Sequence, residues 1–224
     1  PDGVGCAVHA GTKLYFRAPD GTQTELCADM NEAFSQSFTM KGVLYLMDGK
    51  TYRAVRKSSK NTAWEAVSVS GTAYVPTTTI SAAPTGGGTS YEAVNLLTPK
   101  RINTFIGDGT ATQFKVDATD LDATAVTAEV NGSAVTVSAV NRSTGLVTLA
   151  AAPANGNGLA NVSIAFAKTV SGHADKINKC RFAGLYGGKN DTRVFLSGNP
   201  DEPDCDWQSG LYDPTYFPDT GYTR

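Results

Sequence analysis

The stretch that decides the fold runs from Arg101 to Thr169 and reads RINTFIGDGTATQFKVDATDLDATAVTAEVNGSAVTVSAVNRSTGLVTLAAAPANGNGLANVSIAFAKT. Short runs rich in Val, Thr and Phe alternate in it with Gly, Asn, Asp and Pro at intervals of roughly ten residues, which is typical of an antiparallel sandwich. Asn131-Gly132 separates two alternating runs. This pair favours a type I′ hairpin turn, because both central positions of that turn need a positive φ. The pattern therefore predicts a β-sandwich of about 70 residues that folds as a separate module.

The same stretch resembles a module common in the tail and virion proteins of bacteriophages. The shared features are a phenylalanine before a Gly-Asp-Gly-Thr turn, a second phenylalanine strand, a Val-Asn-Gly hairpin and an Ala-Pro turn. They lie here at Phe105, Gly107 to Thr110, Phe114, Val130 to Gly132, and Ala152-Pro153 with Gly156. The middle departs from the family, since Ala128-Glu129-Val130 replaces Val-x-Val. The resemblance implies an Ig-like β-sandwich used as decoration or spacer, without chemistry of its own.

The bulk composition argues against several classes of function. Lys and Arg number 19 and Asp and Glu number 21 in 224 residues, so the net charge is −2. This leaves no basic surface for nucleic acid or for an anionic membrane. No run reaches the roughly 18 apolar residues of a membrane span, and no signal peptide is visible. Because the chain starts with Pro1 rather than Met, we expect a processed or excised piece.

Residues 6 to 75 predict consecutive β-hairpins. Two of them look alike, because Lys13 to Phe16 before Asp20-Gly21 resembles Val43 to Leu46 before Asp48-Gly49. A repeated hairpin of this kind is typical of propeller blades. A simple antiparallel meander gives the same pattern, so the sequence leaves both architectures open.

The segments on either side of the predicted sandwich are expected to form one body. Residues 76 to 100 read as a connector, because prolines and the run Gly86 to Gly88 are loop formers and no phosphate-binding Gly-Lys-Ser follows. The pattern of residues 176 to 188 predicts a strand that ends in a Gly-Gly turn. A second strand is predicted in residues 192 to 200. Two or three strands cannot bury the apolar faces of the early hairpins alone. We therefore expect residues 1–100 and 170–224 to pack together, with the module of residues 101–169 inserted between them.

A second resemblance lies near the C-terminus. Arg193 to Pro200 reads Arg-Val-Phe-Leu-Ser-Gly-Asn-Pro, and Trp207 to Pro218 continues as Trp-x-Ser-Gly-Leu-x-Asp-Pro-x-x-Phe-Pro. Both segments resemble a blade of propeller-type virion proteins from tailed phages and prophages, including nozzle-like tail proteins. The resemblance implies that the upstream hairpins are earlier blades of the same propeller-like body, and that a full propeller needs more chain.

The C-terminal aromatic residues are the candidates for an interaction or ligand surface. They are Trp207, Tyr212, Tyr216 and Phe217. Their rings could stack on sugar rings. The alternative is an ordered loop whose rings fill the gap between blades, and the neighbouring prolines and Asp213 favour this alternative.

No pattern in the sequence predicts a catalytic, metal or cofactor site. The acidic run Asp201 to Asp206 lacks the spacing and glycine of a calcium loop, so we expect a solvated loop. Neither His9 nor His173 has a nucleophile or base signature nearby. The four cysteines have no zinc spacing, and we expect thiols rather than disulfides because a β protein of this length needs no staples. They are Cys6, Cys27, Cys180 and Cys205.

The sequence as a whole predicts an all-β structural component of a phage or prophage virion, in the tail, without enzymatic activity. Its expected partners are other virion or tail subunits, in a homo-oligomeric ring of the full-length protein, with a glycan as a further candidate. Free nucleic acid and membrane are not expected partners. The expected location is the virion, after synthesis in the bacterial host cytoplasm. The alternative is a carbohydrate-binding or host-attachment module, and a fragment of a polysaccharide-degrading enzyme comes third.

Overall fold

The computed structural model describes residues 5–58, 63–188 and 191–224. These residues form an all-β protein of five sheets with one short α-helix, which confirms the predicted fold class. In chain order the elements are β1 (Cys6–Ala10), β2 (Lys13–Arg17), β3 (Gln23–Cys27), β4 (Gln36–Met40), β5 (Val43–Met47), β6 (Tyr52–Lys57), β7 (Trp64–Ser68), β8 (Thr77–Ala82), β9 (Thr89–Ser90), β10 (Lys100–Phe105), β11 (Gln113–Lys115), β12 (Thr127–Val130), β13 (Ser133–Val135), β14 (Val137–Asn141), β15 (Leu146–Leu149), β16 (Val162–Ala167), α1 (His173–Asn178), β17 (Phe182–Tyr186), β18 (Arg193–Ser197), β19 (Asp206–Gln208) and β20 (Tyr222–Thr223).

The described residues fall into two compact units. The first contains residues up to 73, residues 172–217 and residues 221–224, and the second contains residues 74–171 and 218–220. No helix among the described residues is long and apolar enough to cross a membrane.

The first unit contains three antiparallel meanders, in the strand orders β1-β2-β3, β4-β5-β6-β7 and β17-β18-β19-β20. The two hairpins that look alike in sequence are built alike. Asp20 accepts a hydrogen bond from the backbone N–H of Thr22 at 2.9 Å, and Asp48 accepts one from Lys50 at 2.9 Å. In each case the carboxylate fixes the turn two residues further on, which is the usual role of Asp in a turn.

The core of the first unit joins sheets that are distant in sequence. Leu14, Met30, Leu46 and Val55 form one buried cluster between the first two meanders. The second and third meanders meet at their edge strands, where the side chain of Gln36 in β4 accepts a hydrogen bond from the N–H of Ala183 in β17 at 2.7 Å. Chain segments from both sides of the second unit therefore belong to one compact body.

The second unit consists of two sheets that share one core. The strand orders are β13-β12-β16-β10-β8-β9 and β11-β15-β14. Phe105 and Ile164 from the larger sheet pack with Phe114, Val147 and Leu149 from the smaller one. This is the arrangement of a β-sandwich. The predicted hairpin at Asn131-Gly132 is confirmed, because both residues have positive φ, at 50° and 76°, between the paired strands β12 and β13.

The stretch predicted as a connector, residues 76–100, contains two strands of this larger sheet. Strand β8 pairs parallel with β10, and β9 pairs antiparallel with β8. The run Thr77-Thr78-Thr79-Ile80 explains the difference, because its β-branched side chains favour a strand despite the flanking prolines. The glycine run Gly86 to Gly88, where all three residues have positive φ, lies in the hairpin between β8 and β9.

Residues His173–Asn178 form helix α1, so the strand predicted within residues 176 to 188 exists but begins only at Phe182, as β17. Lys179 pairs with Asp175 at 3.4 Å, an i,i+4 ion pair that supports a helix. Ile177 is buried and anchors the helix. A helix this short needs such tertiary packing, because its backbone hydrogen bonds do not stabilise it alone.

Candidate functional site

Two of the four predicted surface aromatics lie in the interior. Trp207 and Phe217 each expose only 1% of their surface. The structure corrects the prediction for these two residues, because a buried ring has no free face to offer a partner. Tyr212 and Tyr216 are partly exposed.

Trp207 is part of the inner face of the third meander. It lies opposite Leu196 of β18 and Tyr222 of β20 in the strand register. The Trp207 ring contacts the Tyr222 ring, with 5.1 Å between the centroids. The ammonium of Lys176 lies 5.0 Å from the centroid of the Trp207 ring. Its role is to hold the sheet together.

The loop from Tyr212 to Phe217 is an ordered turn. The carboxylate of Asp213 accepts hydrogen bonds from the N–H of Thr215 at 2.9 Å and from its hydroxyl at 2.6 Å. The hydroxyl of Tyr52 donates to the carbonyl of Pro214 at 2.9 Å, and the Tyr52 ring meets Phe217 edge to face. Burial raises the pKa of Tyr52 well above its ordinary value, so this hydroxyl remains a neutral donor.

The exposed aromatic surface of the first unit lies instead on β17 and β18. Phe182 is 57% exposed and Tyr186 is 78% exposed. Gly184 stands between them on the strand and pairs with Phe195 of β18. The Tyr186 and Phe195 rings meet edge to face, with 6.2 Å between their centroids. We call Phe182, Gly184, Tyr186 and Phe195 the outer aromatic face.

Strand alternation explains why this face points away from the core. Successive side chains of a strand point to opposite sides, and Val194, Leu196 and Trp207 occupy the buried side of the sheet. A Cβ added at Gly184 would meet no atom within 4 Å, so the space above this position is open. The outer aromatic face thus has open space above Gly184 between the exposed side chains of Phe182 and Tyr186.

The rim of the outer aromatic face is polar. Arg193 forms an ion pair with Asp191 at 3.2 Å and donates to the carbonyl of Ser209 at 3.1 Å. Aromatic side chains and arginine surrounded by polar groups are the composition of a protein interface. No family model, curated protein or solved structure matches the chain.

One signal in the sequence indicates this surface. Phe182-Ala183-Gly184-Leu185-Tyr186 has no charged side chain on either side of the strand, and its only polar side-chain group is the Tyr186 hydroxyl. A strand with one solvated face normally alternates apolar and polar residues. An edge strand that is apolar on both faces therefore indicates a surface that a partner covers.

The acidic run is held by basic side chains. Glu202 pairs with Lys176 at 3.3 Å and with Arg224 at 3.1 Å, and Asp201 pairs with Lys179 at 2.7 Å. Burial alone would raise the pKa of Glu202, but hydrogen bonds from Cys205 and Lys176 and the charges of Lys176 and Arg224 leave this pKa below its ordinary value. Within residues 5–58, 63–188 and 191–224, no three His, Cys, Asp or Glu side chains are grouped to hold a metal ion.

All four cysteines are thiols, and two of them are buried beside this cluster. Burial raises the pKa of the Cys180 thiol to about 12, and the nearby Cys205, Glu202 and Asp206 act in the same direction. Cys180 therefore remains protonated, and hence unreactive, at neutral pH.

The exposed Cys6 and the buried Cys180 are predicted to differ in their rate of alkylation. We expect iodoacetamide to label the exposed Cys6 of the native protein while Cys180 stays unmodified, because its pKa near 12 leaves about a thousandfold less thiolate than the ordinary value of 9.0. Peptide mass spectrometry measures both sites, and labelling in guanidinium, where both should react alike, is the control. Equal labelling rates of the two cysteines in the native protein would contradict the burial of Cys180.

The same pKa shift makes stability depend on pH. Because the pKa of Cys180 is higher in the folded than in the unfolded state, the protonated thiol stabilises the fold below pH 9, and this contribution is lost as the pH rises toward 12.

Proposed function

We propose that this chain is a structural component of a tailed-phage or prophage virion, in the tail, and that it acts in assembly by binding neighbouring subunits. The observation that carries the proposal is the outer aromatic face. Burying a phenylalanine or tyrosine that is otherwise in water is favourable by about 1.5 to 3 kcal/mol per side chain. Burial of the two exposed rings on this edge strand would therefore favour binding of a partner to this face.

The phage assignment is supported by the resemblance of two strands in the sheet that presents this face. The segment Arg193 to Pro200 supplies strand β18 and the turn after it, and Trp207 begins the second resembling segment on β19. Strands β18 and β19 of this sheet therefore carry residues that resemble a blade of a virion protein, whereas Phe182, Gly184 and Tyr186 on β17 lie outside the resembling segments. The neighbouring subunit that we propose is another copy of the same protein in a ring, which repeats one contact around an axis.

The proposal is tested by sedimentation velocity over a range of protein concentrations. We expect reversible self-association of the parent chain. The double variant Phe182→Ser with Tyr186→Ser should weaken it about thirtyfold or more, because aromatic residues at the centre of an interface typically contribute about 2 kcal/mol or more. Far-UV circular dichroism of the variant should match the parent, since both side chains are exposed.

The matched control is Tyr91→Ser, which removes another exposed ring, 65% accessible, from the second unit. It should associate like the parent. A parent chain that stays monomeric at every concentration, or a double variant that associates normally, would refute assembly through the outer aromatic face. Mass spectrometry of purified phage or prophage particles from the organism that encodes the chain tests its location, and absence from all particles contradicts the virion assignment.

A further inference from the structure

A second surface, unrelated to the outer aromatic face, lies in the second unit. A cavity of about 400 Å³ opens between strand β8, the Thr85 to Gly87 loop, Asn103 of β10 and the segment Lys115 to Thr119. This volume lies within the range of about 300 to 1,000 Å³ that is usual for small-molecule sites.

The cavity contains one carboxylate that is fixed in place. The hydroxyls of Thr78 and Thr79 both donate to Asp117 Oδ2, at 2.6 and 2.9 Å. The N–H of Asp117 donates to Oδ1 of the fully buried Asn103 at 2.8 Å, and the amide of Asn103 donates to the Thr78 hydroxyl at 2.9 Å. Among the described residues no donor reaches Asp117 Oδ1. The network thus holds the carboxylate in one orientation and leaves one oxygen available.

The side chain of Lys115 lines the same cavity but forms no ion pair with Asp117. Lys115 ends strand β11 and Asp117 follows it by two positions; both line the cavity, while Phe114 and Val116 are buried in the core. No carboxylate of the described residues lies within 4.0 Å of the Lys115 ammonium. The stem of Lys115 packs against Gly86, where a Cβ would lie 3.2 Å from Lys115 Cγ. A fixed acceptor and an unpaired donor therefore line one cavity.

These groups select a class of ligand. The carboxylate repels anions and the ammonium repels cations, so a ligand without net charge fits best, and hydroxyl groups can donate to the carboxylate and accept from the ammonium. Two adjacent hydroxyls meet this requirement, because one donates to Asp117 Oδ1 while the other accepts from Lys115 Nζ. The partly buried Ala118 supplies an apolar contact for the C–H face of a ring. We propose that this cavity binds a sugar ring through a pair of neighbouring hydroxyls.

The test is a titration of the full-length ¹⁵N-labelled chain with the methyl glycosides of glucose, galactose and mannose and with N-acetylglucosamine. Weak sites of this size bind in the millimolar range, so concentrations up to about 50 mM are used. We expect at least one sugar to shift the amide signals of Gly86, Gly87 and residues 115 to 119. Asp117→Asn and Lys115→Met, which keep the side-chain shape and remove the charge, should each weaken binding by about tenfold.

The matched control is Asp120→Asn, which removes one carboxylate just outside the cavity and should bind like the parent. Three outcomes overturn the proposal: no amide shift with any of the four sugars, shifts confined to other residues, or equal binding by Asp117→Asn. Glycine serves as a zwitterionic probe, and binding of glycine in place of every sugar also overturns it. The result is independent of the assembly proposal, because the parent chain and the double variant Phe182→Ser with Tyr186→Ser should bind the sugar equally.

Discussion

Replacing Phe114 by alanine should lower the free energy of unfolding of the second unit by about 3 to 5 kcal/mol. Phe114 is fully buried, packs edge to face on Phe105 with 5.4 Å between the ring centroids, and contacts the shared core of both sheets. Its removal leaves a cavity that the surrounding structure closes only in part. Hydrogen exchange of the Val147 and Ile164 amides measures the effect, and we expect it to accelerate by about a hundredfold to several thousandfold.

The control for Phe114→Ala is Leu159→Ala, which truncates a side chain that is 74% exposed in the same unit. It should change stability by less than about 0.5 kcal/mol, because it creates no cavity. Similar exchange rates in the two variants would show that the two sheets do not share a packed core.

Replacing Trp207 by alanine should destabilise the first unit by about 3 to 5 kcal/mol. The ring fills the inner face of the third meander and contacts both Tyr222 and Lys176. Its indole N–H has no acceptor among the described residues. Trp207→Phe removes this unsatisfied donor while keeping most of the ring, so we expect it to stay within about 1 kcal/mol of the parent.

Urea unfolding followed by far-UV circular dichroism measures both Trp207 variants. Trp64→Ala is the matched control, because Trp64 lies in the same unit, is 37% exposed and stacks on Phe16. We expect it to cost about 1 kcal/mol, which is typical of a surface aromatic pair. A Trp207→Ala loss no larger than this would contradict the central position of Trp207 in the core.

Local signals explain the parts of the fold that the sequence predicts well. The Asn131-Gly132 turn and the two Asp-Gly hairpins need a positive φ, which Gly and Asn adopt at little steric cost, so the residue types are enough to predict them. Strand β8 was missed because its pairing with β10 is parallel and distant in sequence, and prolines on its flank read as loop. Helix α1 was missed because its six residues are too few to show a period of 3.6.

The exposed aromatic surface could not be predicted from the sequence for a different reason. The aromatic density around Trp207 to Phe217 is visible in sequence, but the side of the sheet on which each ring lies depends on register. A shift of one residue exchanges the two faces of a strand. Trp207 therefore points inward and Phe182 outward, although both are aromatic residues on neighbouring parts of one meander. The cavity at Asp117 could not be predicted either, because its walls come from three separate strands and a loop.

The apolar edge strand β17 has a consequence for the chain before it finds a partner. Its five residues carry no charge and no proline, and on the side away from β18 the Gln36 side chain of β4 accepts a hydrogen bond from the N–H of Ala183. Short segments of this kind are where unpaired chains add to one another and start fibrils. Arg181 directly before the strand and Arg193 on the next strand add charges that oppose such stacking. Removing both arginines should make the free protein precipitate on storage. Raising the salt concentration should screen the two charges and so also promote precipitation.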